Sequence, residues 1–279
     1  MNNISRQLSI ACLQYTSTKN ELHTLETIKL LLKEAVDLGA EFIALPECAT
    51  SLHENSTITK ELAKSEIENF SLQTLIELTK NNAIYLLIGS LPIRFEDKIT
   101  NRSFLIGPDG KILYKYDKIH LYDVHLPNGE IFKESDTYSS GNKAVIGKIK
   151  EDEFKIGMTI CYDLRFPNLY QDLARNGAQI IMVPSAFSNV TGPYHWHTLL
   201  KARAIETGSF IIAPAQTGNH ECGRTSFGHS LIISPWGKVL SDGKKKVGVI
   251  FKKINLEEVS LARKAIPNLS IKKEYSTNI

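Results

Sequence analysis

Long apolar runs are missing from this chain. None approaches the roughly 20 residues that a membrane-spanning helix needs. The opening Met1-Asn2-Asn3-Ile4-Ser5-Arg6 leads into a strand-like run rather than an apolar signal segment. Cysteine is scarce: Cys12, Cys48, Cys161 and Cys222 are the four in 279 residues. No two form a Cys-x-x-Cys pair, which argues against a zinc knuckle or a thioredoxin-type site. Four in a chain of this length make no disulfide framework either. Net charge is nearly absent, +3 overall, which argues against a dedicated nucleic-acid surface. The clusters Lys244-Lys245-Lys246, Lys252-Lys253 and Lys272-Lys273 are dispersed near the C-terminus and read as a solvated face. The expectation is a soluble protein of a reducing, cytoplasmic compartment, with no nucleic-acid or membrane partner.

What the chain does have is alternation between short apolar runs and helical periodicity. Leu8 to Gln14 reads as a buried first strand. Residues Thr24 to Leu38 carry Leu25, Ile28, Leu31, Leu32, Ala35 and Val36 at spacings of three and four, which predicts a helix stopped at Gly39. A strand over 41–45 ends at Pro46 and is followed by Glu47. Residues 51–66 are polar and weakly patterned, a surface excursion. Further helices are expected at 72–79, 169–176, 196–207 and 256–263, and further strands at 83–89, 155–160, 179–183, 209–213 and 247–251. Hairpins are expected around Gly107-Pro108-Asp109-Gly110 and Pro235-Trp236-Gly237. Residues 122–143 read as one long loop, and loops of that length inside a compact domain are usually functional.

The chain echoes itself. Leu38-Gly39-Ala40-Glu41-Phe42-Ile43-Ala44-Leu45-Pro46-Glu47 reads like Asn176-Gly177-Ala178-Gln179-Ile180-Ile181-Met182-Val183-Pro184-Ser185. Two similar halves suggest two sheets packed on each other with helices outside, in one domain over 1–279. Crevices at the carboxyl ends of such strands are the usual sites. Glu47, Cys161 and Ser185 lie just past those ends, and Lys118 follows its own strand. A thiol beside a carboxylate and an ammonium suffices for acyl transfer from an amide or nitrile, because a nearby cation favours the thiolate and stabilises the oxyanion. The N–H of Tyr162, the residue after the thiol, is the natural second donor. Singly, each residue also fits a bland role: Cys161 an inert buried thiol, Glu47 a surface acid, Lys118 one more exposed charge. Ser185 has no Gly-x-Ser-x-Gly context, which argues against a serine hydrolase.

The segments Leu45-Pro46-Glu47-Cys48, Tyr116-Asp117-Lys118-Ile119-His120-Leu121 and Ile160-Cys161-Tyr162-Asp163-Leu164-Arg165-Phe166-Pro167 together resemble, in order and spacing, the catalytic blocks of the nitrilase superfamily of carbon–nitrogen hydrolases. The resemblance covers nearly the whole chain. It implies a four-layer α-β-β-α sandwich, no metal or organic cofactor, and assembly as a homodimer or higher homo-oligomer. It also implies a Glu-Lys-Cys triad: Glu47 as general base and acid, Lys118 as oxyanion stabiliser, Cys161 as nucleophile. The supporting glutamate falls on Glu134, with Glu130 fitting less well. Within the superfamily, Thr191-Gly192-Pro193-Tyr194-His195-Trp196, Arg203-Ala204-Ile205-Glu206-Thr207 and Phe227-Gly228-His229-Ser230 are similar to the amidases of deaminated glutathione, then to the ω-amidases. That branch implies hydrolysis of the carboxamide of a small linear 2-oxo acid amide through a thioester, with release of ammonia. A nitrilase or N-carbamoyl amide hydrolase with the same triad, or a non-catalytic binding module, are the alternatives.

Around this core, Arg165 suits a substrate carboxylate, with a structural ion pair as its other reading. Phe187 and Thr191 follow a strand end and suit a pocket wall or plain packing. His195 and His197 flank Trp196, but one pair without a third ligand argues against a metal.

Overall fold

Alternation within the first strand decides the architecture. The computed structural model describes residues 6–151, 153–271 and 273–277; the Met1–Ser5 lead and Lys272 lie outside the described residues. In strand Gln7–Gln14, Leu8, Ile10 and Cys12 point to one apolar cluster, and Ala11 and Leu13 to another. The period of two in strand side chains puts these sets on opposite faces. Ala11 and Leu13 meet Leu25, Ile28 and Leu32 of helix Glu21–Asp37 and Leu72 and Leu75 of helix Phe70–Asn81. Leu8, Ile10 and Cys12 share the other cluster with Ile156, Met158, Met182 and Leu231 of the second half.

Two six-stranded sheets result. In order across the first run Gly248–Asn255, Gln7–Gln14, Phe42–Ala44, Tyr85–Phe95, Lys98–Ile106 and Ile112–Asp117. The second runs Val145–Ile149, Phe154–Met158, Ile180–Met182, Phe210–Ala213, Leu231–Ile233 and Val239–Asp242. Each has three parallel strands at its centre and antiparallel strands on both flanks. The internal echo is therefore topological: Phe42–Ala44 and Ile180–Met182 hold the same central place, and Glu47 and Ser185 leave corresponding strand ends. Helices Pro167–Arg175 and Gly192–Thr207 cover the second sheet, completing the expected α-β-β-α sandwich.

Three expectations need correction. The excursion at 51–66 contains helix Ser56–Leu62. Asn55 caps it, but it buries no residue, so it has no apolar stripe to betray it. The loop at 122–143 holds a two-stranded ribbon, Asp123–His125 with Ile131–Lys133, and a helical turn Glu134–Asp136. These strands are three residues each and too short for periodicity to register. The strand expected at 83–89 runs Tyr85–Phe95, through Pro92. Its neighbour Phe42–Ala44 pairs only as far as Leu87, and proline is tolerated where a strand has become an edge.

Candidate active site

Four segments converge where the two sheets meet. The first is the turn after Pro46. Glu47 is buried, and its backbone carbonyl accepts a hydrogen bond from Gln216 Nε2 at 3.0 Å. Its carboxylate is fully engaged. Oε1 accepts from Lys118 Nζ at 2.8 Å and from Asn101 Nδ2 at 3.2 Å, while Oε2 accepts from the Ala186 N–H at 2.9 Å.

The second segment follows strand Ile112–Asp117. Lys118 is only 2% exposed, which removes the reading of a solvated charge. Its ammonium also donates to Glu134, 3.0 Å to Oε1 and 2.8 Å to Oε2. Glu134 belongs to the third segment, the turn after the small ribbon. Its Oε1 accepts from Asn101 Nδ2 at 2.9 Å and its Oε2 from the Tyr122 N–H at 2.6 Å. Asn101 thus bridges the two glutamates on one side and Lys118 on the other. Glu130 lines the same cavity but has no place in this network among the described contacts.

The fourth segment carries Cys161. Its strand ends at Met158, and the cysteine opens a helical turn, Cys161–Arg165. Cys161 adopts φ +45°, a left-handed conformation that costs a non-glycine residue about 1–3 kcal/mol. Two features hold it there. Its N–H donates to Pro184 O at 2.9 Å. Asp163, fully buried, accepts from the Ile160 N–H at 2.9 Å, the Tyr116 hydroxyl at 2.7 Å and the His120 N–H at 3.1 Å. Asp163 so ties the cysteine turn to the lysine segment. Tyr162 is the second residue of the turn, and the first N–H groups of a helix have no partner within it.

Charge decides the resting protonation. Burial pushes the Cys161 thiol well above its ordinary range, and the nearby Glu47 carboxylate pushes it further. Two like charges about 4 Å apart repel by roughly 4 kcal/mol at an effective dielectric of 20, so thiolate and carboxylate do not coexist at rest. Burial acts to raise Glu47, but the Lys118 charge and hydrogen bond outweigh it and hold the carboxyl below its usual range. Burial acts against the Lys118 ammonium, yet Glu134 and then Glu47 raise it well above its ordinary value. The resting set is thiol, carboxylate and ammonium.

A cavity of about 740 Å³ opens onto this set, lined by Glu47, Lys118, Glu134, Cys161, Tyr162, Arg165, Phe187 and Thr191. The expected site residues therefore all reach one space. Arg165 lies 5.9 Å from the Tyr162 ring and 5.5 Å from the Phe187 ring, and donates to His195 Nδ1 at 3.3 Å. No carboxylate pairs with it among the described residues, so the ion-pair reading fails. His195 and His197 diverge: the first turns to Arg165, the second to Asp242. Cys48 and Cys222, both free, line the same cavity.

Sequence reasoning passed over Asn101, Asp163 and Arg224. Asn101 is buried within strand Lys98–Ile106, but in sequence it falls just before the apolar run and reads as the strand's end. Asp163 lies inside a segment already singled out. Arg224, exposed at the cavity rim over the Phe132 ring at 5.2 Å, had no signal in the sequence.

Residues 9–264 match the family described as carbon-nitrogen hydrolase. A deaminated glutathione amidase of Synechocystis sp. is 38% identical over 263 residues, covering 93% of this chain and 96% of that protein. An omega-amidase of Mus musculus is 34% identical over 267 residues, covering 96% and 95%. Among solved structures, the C. elegans NitFhit protein superposes with a TM-score of 0.89 at 31% identity, over 96% of this chain and 66% of that longer one. Saccharomyces cerevisiae Nit3, of the nitrilase superfamily, gives a TM-score of 0.85 at 28% identity, over 94% and 95%.

Proposed function

The chain belongs to the carbon–nitrogen hydrolase family, and on that premise we propose that it is a cysteine-dependent amidase of small linear 2-oxo acid amides. The observation that carries this reading is the pairing of buried Glu47 and Lys118 with partly buried Glu134, beside a strained, cavity-facing Cys161. Amidases of deaminated glutathione and omega-amidases among the relatives support the substrate class.

In the proposed reaction, Cys161 Sγ attacks the amide carbon as Glu47 takes the thiol proton. Negative charge moves from Glu47 to the new oxyanion, held by Lys118 Nζ and the Tyr162 N–H. Such preorganised donors contribute most where charge develops. Glu47 then protonates the departing nitrogen, which leaves as ammonia from a primary carboxamide or as an amine from a substituted one. The thioester remains on Cys161. Glu47 next takes a proton from water, hydroxide adds to the thioester, and the acid departs as the thiol is restored. Glu134 keeps Lys118 charged and aimed. The steps use only these side chains and water, with no metal or cofactor.

Arg165, on the cavity wall over the Phe187 ring, pairs with the substrate carboxylate. The chain works as one catalytic unit, because both halves contribute to the site. We further read it as a cytoplasmic homodimer or larger homo-oligomer. Among the described residues no helix is long and apolar enough to cross a membrane. Tyr194, Ile205 and Trp236 are exposed, apolar side chains that association would cover.

The test is a panel of 2-oxoglutaramate, deaminated glutathione and a simple nitrile, reading release of the 2-oxo acid and of ammonia. The reading expects turnover of the 2-oxo acid amides. Turnover of the nitrile alone overturns the amidase reading, and silence on all three from folded protein favours a binding module.

A further inference from the structure

Away from the cavity floor, three side chains from distant parts of the chain form a second constellation. His197 comes from helix Gly192–Thr207, Asp242 ends strand Val239–Asp242, and His229 precedes strand Leu231–Ile233. Asp242 Oδ2 lies 3.4 Å from His197 Nε2, and Oδ1 lies 3.0 Å from His229 Nδ1. The three donor atoms all fall within 4.8 Å of one another. We propose that His197, His229 and Asp242 form a binding site for a divalent transition cation of the zinc type.

The donor set has the right chemistry. Imidazole suits zinc, nickel, copper and iron, and two histidines with one carboxylate leave coordination positions open for water. Separations of 3.0–3.4 Å between donor atoms fit ligands each about 2 Å from one ion.

The constellation is also held in place. His229 adopts φ +56°. It is fixed by its N–H to Lys244 O and by its carbonyl, which accepts from Trp196 Nε1 at 2.8 Å. Phe227 stacks on its ring at 4.6 Å. The Lys244 N–H donates to Asp242 Oδ1 at 2.8 Å, the kind of outer hydrogen bond that orients ligating carboxylates. Lys244 Nζ also sits 2.8 Å from Asp242 Oδ2, but its side chain is 71% exposed. It is therefore free to swing away when a cation arrives. The His197 side chain is 35% exposed, which gives the ion a way in. A cation there would tie the helix that starts beside Thr191 to the outer strands of the second sheet, independently of the amidase reaction.

The experiment titrates chelator-stripped protein with Zn²⁺ by calorimetry and with Co²⁺ by visible absorption, alongside thermal melting. Because Cys161 could itself hold zinc, the Cys161→Ala protein is the reference. The expected result is one ion per chain on that reference, a raised melting temperature with zinc, and cobalt bands of nitrogen–oxygen ligation. His197→Ala and Asp242→Asn should each weaken binding at least about tenfold, since even outer partners of metal ligands cost 10–100-fold. If His197→Ala melts below the metal-free reference, His197→Gln replaces it. Absence of binding to the reference protein, or unchanged affinity in both variants, overturns the proposal.

Discussion

At the scale of single residues, the site works by keeping opposite charges buried together. Lys118 pairs with the buried Glu47 and the partly buried Glu134, so its loss leaves both carboxylates without their counter-charge. Lys118→Ala should cost about 3–5 kcal/mol in chemical denaturation, as breaking one side of a buried pair does. It should also reduce kcat at least about a hundredfold. A near-parental rate would mean that another group holds the oxyanion. The pH dependence follows from the same network. Glu47 has a folded pKa below its unfolded one, so the stability it contributes is full above about pH 4.3 and fades as pH falls through the lower folded value. Lys118 is raised, so its contribution is full below about pH 10.4 and fades only as pH rises through the higher folded value. The reacting pair, neutral thiol with ionised Glu47, therefore dominates throughout neutral pH. The rate against pH should be flat there, with no rise near pH 8.5 as an ordinary thiol would give. Such a rise would indicate a pre-formed thiolate. For Arg165→Gln the account expects KM for 2-oxo acid amides to rise roughly 10–100-fold with kcat nearly kept, the signature of lost uniform binding.

At the scale of elements, the strand ends do the positioning, and these were the parts best read from sequence. Alternating apolar residues in Gln7–Gln14 and the apolar run before Pro46 carry strong signals because burial fixes strand register. The repeated Gly-Ala-x-x-Ile motif gave the duplicated sheets. Elements without burial left no mark, as in helix Ser56–Leu62, or were too brief, as in the ribbon that carries Glu134. That residue was reached by resemblance rather than by pattern, and Asn101 was missed because a polar residue inside a strand reads as the strand's end. Close packing behind the Glu47 turn was invisible to sequence as well. A Cβ on Gly89 would lie 2.3 Å from both the Leu45 and the Pro46 carbonyl oxygens. Gly89→Ala must displace the turn or the strand, at a cost of about 1–3 kcal/mol. It should lower kcat although residue 89 is absent from the cavity lining; an unchanged rate would show that the turn has slack.

At the scale of the molecule, the two halves complete each other. The inner face of the first sheet buries Leu8, Ile10 and Cys12 against the second, and Cys161 reaches Glu47 and Lys118 only across that junction. Residues 1–143 or 144–279 expressed alone should bind a hydrophobic dye, melt without a cooperative transition and lack turnover. A cooperative, dye-free half would show that the junction is dispensable for folding. The pairing of halves also explains why composition said so little about function: ordinary charge and apolar content are what a two-sheet sandwich requires, and the chemistry rests on a few residues brought together from far apart in sequence. The measurement that bears most directly on the account is the rate of 2-oxo acid release by the Cys161→Ala protein, with its melting curve recorded beside that of the parent. The account predicts a parental melt and a rate no higher than background. Turnover that persists in the folded Cys161→Ala protein would contradict a covalent reaction at this thiol.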